Sequence, residues 1–182
     1  MKGNRRLLLA GAVALVVALA VPAFALAAVW KDKGVNVSKH IEIKMSGGEI
    51  FEASAGNGMN CEIEATLTTE GGSDGKITTF DIKSCPKKFG TFSGCSISTA
   101  EGKGLPWTVD VNATDLTVTG WRTKRTFTGG CSELDKTISS MTVTLESPSE
   151  ISVMNFLGET GTYKTGGTLN VLAPNIGTYG IG

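Results

Sequence analysis

Trp107-Thr108-Val109-Asp110-Val111-Asn112-Ala113-Thr114-Asp115-Leu116-Thr117-Val118 is the stretch on which the fold class turns. Trp107, Val109 and Val111 alternate with polar residues, and the alternation resumes at Leu116 and Val118 after a polar run. Successive side chains of a strand point to opposite faces, so the apolar set shares one face. A tight turn over 112–115 sets Val111 against Leu116 and Val109 against Val118. Such cross-strand apolar pairs are the stabilising unit of a sheet.

The same period of two extends in both directions. Ile41, Ile43 and Met45 alternate with Glu42 and Lys44; Gly47-Gly48 is expected to turn the chain, with Ile50-Phe51 opening the next strand. Cys61, Ile63, Ala65 and Leu67 alternate with Glu62, Glu64 and Thr66, and Gly71–Gly75 closes that strand into a hairpin with Lys76–Ile82. Cys95, Ile97 and Thr99 follow, then Thr123–Phe127, then Met141, Val143 and Leu145. Ser149–Met154 and Thr168–Leu172 complete the set, with Gly177–Ile181 as a terminal edge. The best helical candidate past the N-terminus is Ser132–Lys136, about one turn. The expected fold is therefore all-β: an antiparallel β-sandwich or barrel of about ten short strands behind an N-terminal signal helix.

Lys2, Arg5 and Arg6 precede an apolar run, Leu7 to Val21, followed by Pro22 and Ala25-Leu26-Ala27. A basic start, an apolar core and small residues at the exit describe a secretory signal peptide. The organisation read from this is a signal peptide over 1–27, a flexible tether over 28–36 and a single β domain over 37–182. Contact with a membrane is expected only through an uncleaved signal segment.

The whole chain of 182 residues balances 17 basic against 17 acidic side chains. Beyond residue 27 the balance is 14 basic and 17 acidic, a net of −3. That argues against nucleic acid, which demands a basic footprint. Gly and Thr each number 22 in the same span, which suits many turns and half-buried pleated surfaces.

Four cysteines, Cys61, Cys85, Cys95 and Cys131, fit an exported domain with two disulfides. Their separations of 24, 10 and 36 positions do not suit a zinc site, which wants closely paired ligands. The segment 86–94 contains Pro and two Gly, so a hairpin can set Cys85 against Cys95 and leave Cys61 to Cys131. The alternative, Cys61–Cys85 with Cys95–Cys131, is supported by a hairpin centred on Ser73. It requires a bulge, because Cys85 is out of phase with Phe80 and Ile82.

Residues with chemical potential are few. Gly71-Gly72-Ser73-Asp74-Gly75 has the spacing of a nucleophile elbow, but that motif needs a helix after it and a downstream His. A strand follows, and the single histidine, His40, lies upstream. His40 reads as a solvated residue at a strand start. No catalytic residue, metal ligand or cofactor is expected. Trp121-Arg122-Thr123-Lys124-Arg125-Thr126-Phe127 is the one basic, aromatic stretch. Alternation puts Arg122 and Lys124 on one face, and Trp121, Arg125 and Phe127 on the other. Trp121, Arg122, Lys124 and Arg125 are thus the candidate contacts for an anionic envelope polymer, set against a strand guarded by charge from edge pairing.

The signal peptide, the Cys-ended strand, the Gly-rich hairpin, Gly104-Leu105-Pro106-Trp107-Thr108, Gly130-Cys131 and Tyr179-Gly180-Ile181-Gly182 together resemble a group of uncharacterised small exported bacterial all-β proteins with four cysteines. The resemblance implies export and an all-β fold and carries over no catalytic residue. The functional expectation is a secreted or cell-envelope, non-enzymatic protein with a structural, adhesive or binding role, its partner an envelope polymer or surface protein. The competing expectation is a secreted hydrolase acting on envelope glycans through carboxylates.

Overall fold

Alternation turns about two thirds of the described chain into strand. The computed structural model describes residues 27–182, and the expected signal segment otherwise lies outside them. The strands are β1 (Trp30–Asp32), β2 (Val35–Asn36), β3 (Ile41–Ser54), β4 (Asn57–Thr69), β5 (Asp74–Phe89), β6 (Ser96–Gly102), β7 (Trp107–Val111), β8 (Asp115–Thr128), β9 (Leu134–Leu145), β10 (Val153–Thr160), β11 (Tyr163–Val171) and β12 (Tyr179–Ile181). A short 3₁₀ turn, Gly90–Phe92, links β5 to β6.

The strands from β3 to β11 form one antiparallel sheet in which chain neighbours pair. β6 and β7 succeed one another along a single position, both pairing with β5 and with β8. Because β11 returns to pair with β3, the sheet closes on itself. The result is an up-and-down barrel whose opposed walls face each other as the layers of a sandwich do. The hairpin of the opening stretch has the expected register, Val109 with Val118 and Val111 with Leu116.

The inward positions fill the barrel. Trp107 and Trp121 have ring centroids 4.4 Å apart. Phe80 meets Trp121 edge-on at 4.4 Å, and Phe156 packs on the same indole at 5.6 Å. Each such buried aromatic contributes about 1.5–3 kcal/mol through area removed from water, plus the directional gain of ring pairing.

Four sequence expectations are corrected. Residues 28–36 do not trail as a tether. β1 pairs with β2 and with β12, and Trp30, with no exposed surface, donates its backbone N–H to Gly72 O at 2.9 Å. Burial of one indole and pairing with the C-terminal strand tie the segment down over the end of the barrel. Gly47-Gly48 does not reverse the chain: β3 runs through it for 14 residues. Gly47 instead permits close approach to β11, since a Cβ on it would lie 1.8 Å from Thr168 O. Ser132–Lys136 is not helical, because Leu134 onward pairs with β8. The strand expected at Ser149–Met154 starts at Val153 and runs to Thr160, turning at Gly161 into β11.

The disulfides are Cys61–Cys85 and Cys95–Cys131, so the expected pairing of Cys85 with Cys95 and of Cys61 with Cys131 is overturned. The reason lies in β5, which carries three register shifts against β4. Ile63 faces Ile82 while its neighbour Glu62 faces Ser84, so Lys83 is accommodated as an extra residue in β5. That bulge reverses the phase of Cys85 and sets it opposite Cys61.

Candidate functional site

The stretch Trp121–Phe127 lies in β8 and alternates as expected, but its two faces have different fates. Trp121 and Arg125 are buried inside the barrel. Arg122 and Lys124 face outward, where Arg122 Nε donates to Asp135 Oδ1 at 2.7 Å and Lys124 Nζ lies 3.0 Å from Glu133 Oε1. The four candidate contacts are therefore not brought together on one accessible face. The Arg122 guanidinium, hydrogen-bonded to Asp135, holds that carboxyl below its ordinary value.

Arg125 belongs to an internal polar cluster. Its Nη2 donates to Glu49 Oε2 at 2.5 Å, and its Nη1 donates to Thr123 Oγ1 at 2.8 Å and to Tyr163 Oη at 3.3 Å. Thr165 Oγ1 donates to the other Glu49 oxygen at 2.6 Å. The guanidinium carbon sits 4.3 Å from the centre of the Phe51 ring, a cation–π contact. Burial disfavours the guanidinium charge, but the Glu49 carboxylate outweighs it and leaves Arg125 above its ordinary value. Burial also pushes the Tyr163 hydroxyl up. The charge is paired internally, with the buried Arg125 Nε–H alone left without a hydrogen-bond partner among these groups, which suits a structural clamp between β3, β8 and β11.

Glu49 was not visible as a partner because the expected turn at Gly47-Gly48 broke its phase with Ile41, Ile43 and Met45. Had the strand been continued, Glu49 would have fallen on the inward parity shared with Phe51, an acid aimed at the inward Arg125.

The rest of the interior is apolar and packed. A cavity of ≈ 20 Å³ remains between Met45, Leu67, Phe80, Trp121, Met154 and Leu169. That holds about one water molecule.

Features open to contact lie on the outer wall. Gly166 of β11 pairs with Ile50 of β3 on one side and Leu157 of β10 on the other. Ile50 and Leu157 are 52% and 66% exposed, and the glycine between them leaves a shallow apolar groove of ≈ 270 Å³. A second cleft, ≈ 310 Å³, separates the far half of β5 from β6.

The remaining candidates have structural places. Gly71, Gly72 and Ser73 lie in the turn between β4 and β5, with Thr69 Oγ1 accepting from the Gly71 N–H at 3.0 Å, and Asp74-Gly75 open β5. His40 is exposed just ahead of β3, its Nδ1 2.8 Å from Glu70 Oε1. Among the described residues no group of three or more His, Cys, Asp or Glu is arranged to hold a metal ion.

Fold and site together define a disulfide-bonded, up-and-down β-barrel with a filled interior and its contact features outside. The chain belongs to the family described as "alkane oxidation protein activator PraA/PraB-like", whose model matches residues 1–172. The expected resemblance to an uncharacterised group is thereby corrected, since this family carries a functional description. No curated protein matches, and no solved structure does.

Proposed function

We propose that this protein is an exported, non-enzymatic binding module that works through the outer wall of its barrel, and that its part in alkane oxidation is that of an activator. One observation carries the reading. The interior, where an eight-position barrel would house a small ligand, is filled by side chains around a cavity of ≈ 20 Å³. A hydrocarbon chain could enter only by displacing Trp121, Phe156 and their neighbours. Contacts with partners are therefore made outside. The basic, apolar and Ala-rich features of residues 1–27 support export, and two disulfides are consistent with an extracytoplasmic place.

The test is made on cells lacking this gene and grown on an alkane. Purified protein added to the medium should restore the rate of alkane oxidation. It should sediment with an envelope fraction without releasing reducing ends from it. Restoration only by protein made inside the cell would remove the exported role, and release of reducing ends would favour the hydrolase.

A further inference from the structure

The first strand is locked to the other end of the described chain. β1 pairs with β12 through Trp30 with Ile181, Lys31 with Gly180 and Asp32 with Tyr179. One residue further out, the Val29 N–H donates to Gly182 O at 3.3 Å, and the Gly182 N–H donates to Val29 O at 3.2 Å. Trp30 is fully buried, its indole over Gly75 and its backbone N–H on Gly72 O. The docking stops abruptly there. Ala28 is half-buried and Ala27 exposed, and among the described residues neither has a backbone hydrogen-bond partner.

Two candidate processing bonds lie at this boundary. Ala23-Phe24-Ala25 and Ala25-Leu26-Ala27 each put small residues one and three positions ahead of a cut. The bonds are Ala25–Leu26 and Ala27–Ala28. A peptidase that takes its substrate as an extended strand must pair with backbone on both sides of the bond. After Ala27–Ala28 come Ala28, Val29 and Trp30, and the last two are bound in the fold. After Ala25–Leu26 come Leu26, Ala27 and Ala28; Leu26 lies outside the described residues, and the two alanines are unbonded.

We propose that docking of β1 selects the processing frame of the exported chain: once β1 is docked, a signal peptidase cuts Ala25–Leu26 and not Ala27–Ala28. In either frame water adds across the amide, leaving a carboxylate on the released peptide and an ammonium on the first residue of the barrel chain. A cut after Ala27 needs β1 to open locally, releasing Val29 from Gly182 and drawing an indole out of the barrel end. β12 sets the lock, and it is the last strand of the described chain to emerge. Both bonds are therefore open during export, and only the outer one afterwards. This rests on the reading of the protein as exported and names the bond at which the folded chain is processed.

The test uses the full-length, disulfide-bonded chain in detergent with a purified signal peptidase, and follows the intact masses of the products over time. Gly180→Ala unseats β12, because a Cβ there would lie 2.1 Å from Ser149 O, and it leaves the residues around both bonds unchanged. A chain ending at Thr178 removes β12 outright. The unaltered chain should give a product starting at Leu26. Its product starting at Ala28 should form at least tenfold more slowly than in either variant. Amide exchange at Trp30 should show β1 released in the variants, and exchange over β7 and β8 should show the barrel retained. Equal rates of cutting after Ala27 in all three proteins, no cutting after Ala27 in the variants, or a Trp30 amide still protected in the chain ending at Thr178 would overturn the proposal. Restoration of alkane oxidation by added protein reads the exported role separately, so the two failures are distinguishable.

Discussion

Arg125 and Glu49, 76 positions apart, form an ion pair inside the barrel, with 1% and 0% of their side chains exposed. The pair joins β8 to β3 across the interior, and Thr165 and Tyr163 bring β11 into the same cluster. Taking both charges from water is costly, and their attraction and hydrogen bonds offset that cost only while both are present.

Removal of one partner should therefore cost more than removal of both. Arg125→Met alone leaves a buried carboxylate and should destabilise by about 3–5 kcal/mol. The double variant Arg125→Met, Glu49→Leu should lose less than the single change. Urea unfolding of the four proteins measures this as a coupling energy. Additive losses would show that the two side chains act independently.

The glycines of β11 make a second prediction. A Cβ on Gly167 would lie 2.0 Å from Gly48 O, an atom of the adjacent backbone that cannot turn aside. Gly167→Ala should force the closing strands β3 and β11 apart and cost at least about 1–3 kcal/mol, as overpacking does. Gly94→Ala, which meets nothing within 4 Å, should stay within about 0.5 kcal/mol of wild type. Thermal unfolding compares the two.

What the sequence made legible followed from strict alternation. Where β7 and β8 alternate without interruption, the register was readable to the residue. The inward fates of Trp107 and Cys61 followed from the same parity. Reading failed where parity is broken or hidden. The bulges of β5 shift phase at Cys85 without any sequence marker other than Pro86, and so the disulfide pairing went the other way. Gly47-Gly48 has the composition of a turn, yet it serves close strand approach, and mistaking it concealed Glu49. The tether failed for a different reason: pairing of β1 with β12 joins the two ends of the chain, and no local pattern announces a contact of that range.

The disulfides give a third prediction. Non-reducing peptide mapping should recover Cys61 linked to Cys85 and Cys95 linked to Cys131. Replacing Cys95 and Cys131 together by Ser should lower stability by about 2–4 kcal/mol, since the bond constrains a loop of the unfolded chain. A peptide joining Cys85 to Cys95 would contradict the connectivity.

The last prediction concerns alkaline pH. Burial, aided by the nearby Glu49 carboxylate and opposed by Arg125, raises Tyr163 above its ordinary 10.0. Between that ordinary value and the raised one, the unfolded chain has lost the phenolic proton while the folded chain keeps it. The unfolded state then binds fewer protons, so stability falls as pH rises through this window. Below pH 10 the contribution is intact. Tyr163→Phe removes the titrating group along with a long hydrogen bond from Arg125, 3.3 Å in length, and should cost about 1 kcal/mol at neutral pH. Its stability should then decline less steeply than wild type above pH 10. Denaturant unfolding of both proteins at a series of alkaline pH values reads the difference in slope, and parallel curves would show that Tyr163 ionises in the folded barrel as readily as in the unfolded chain.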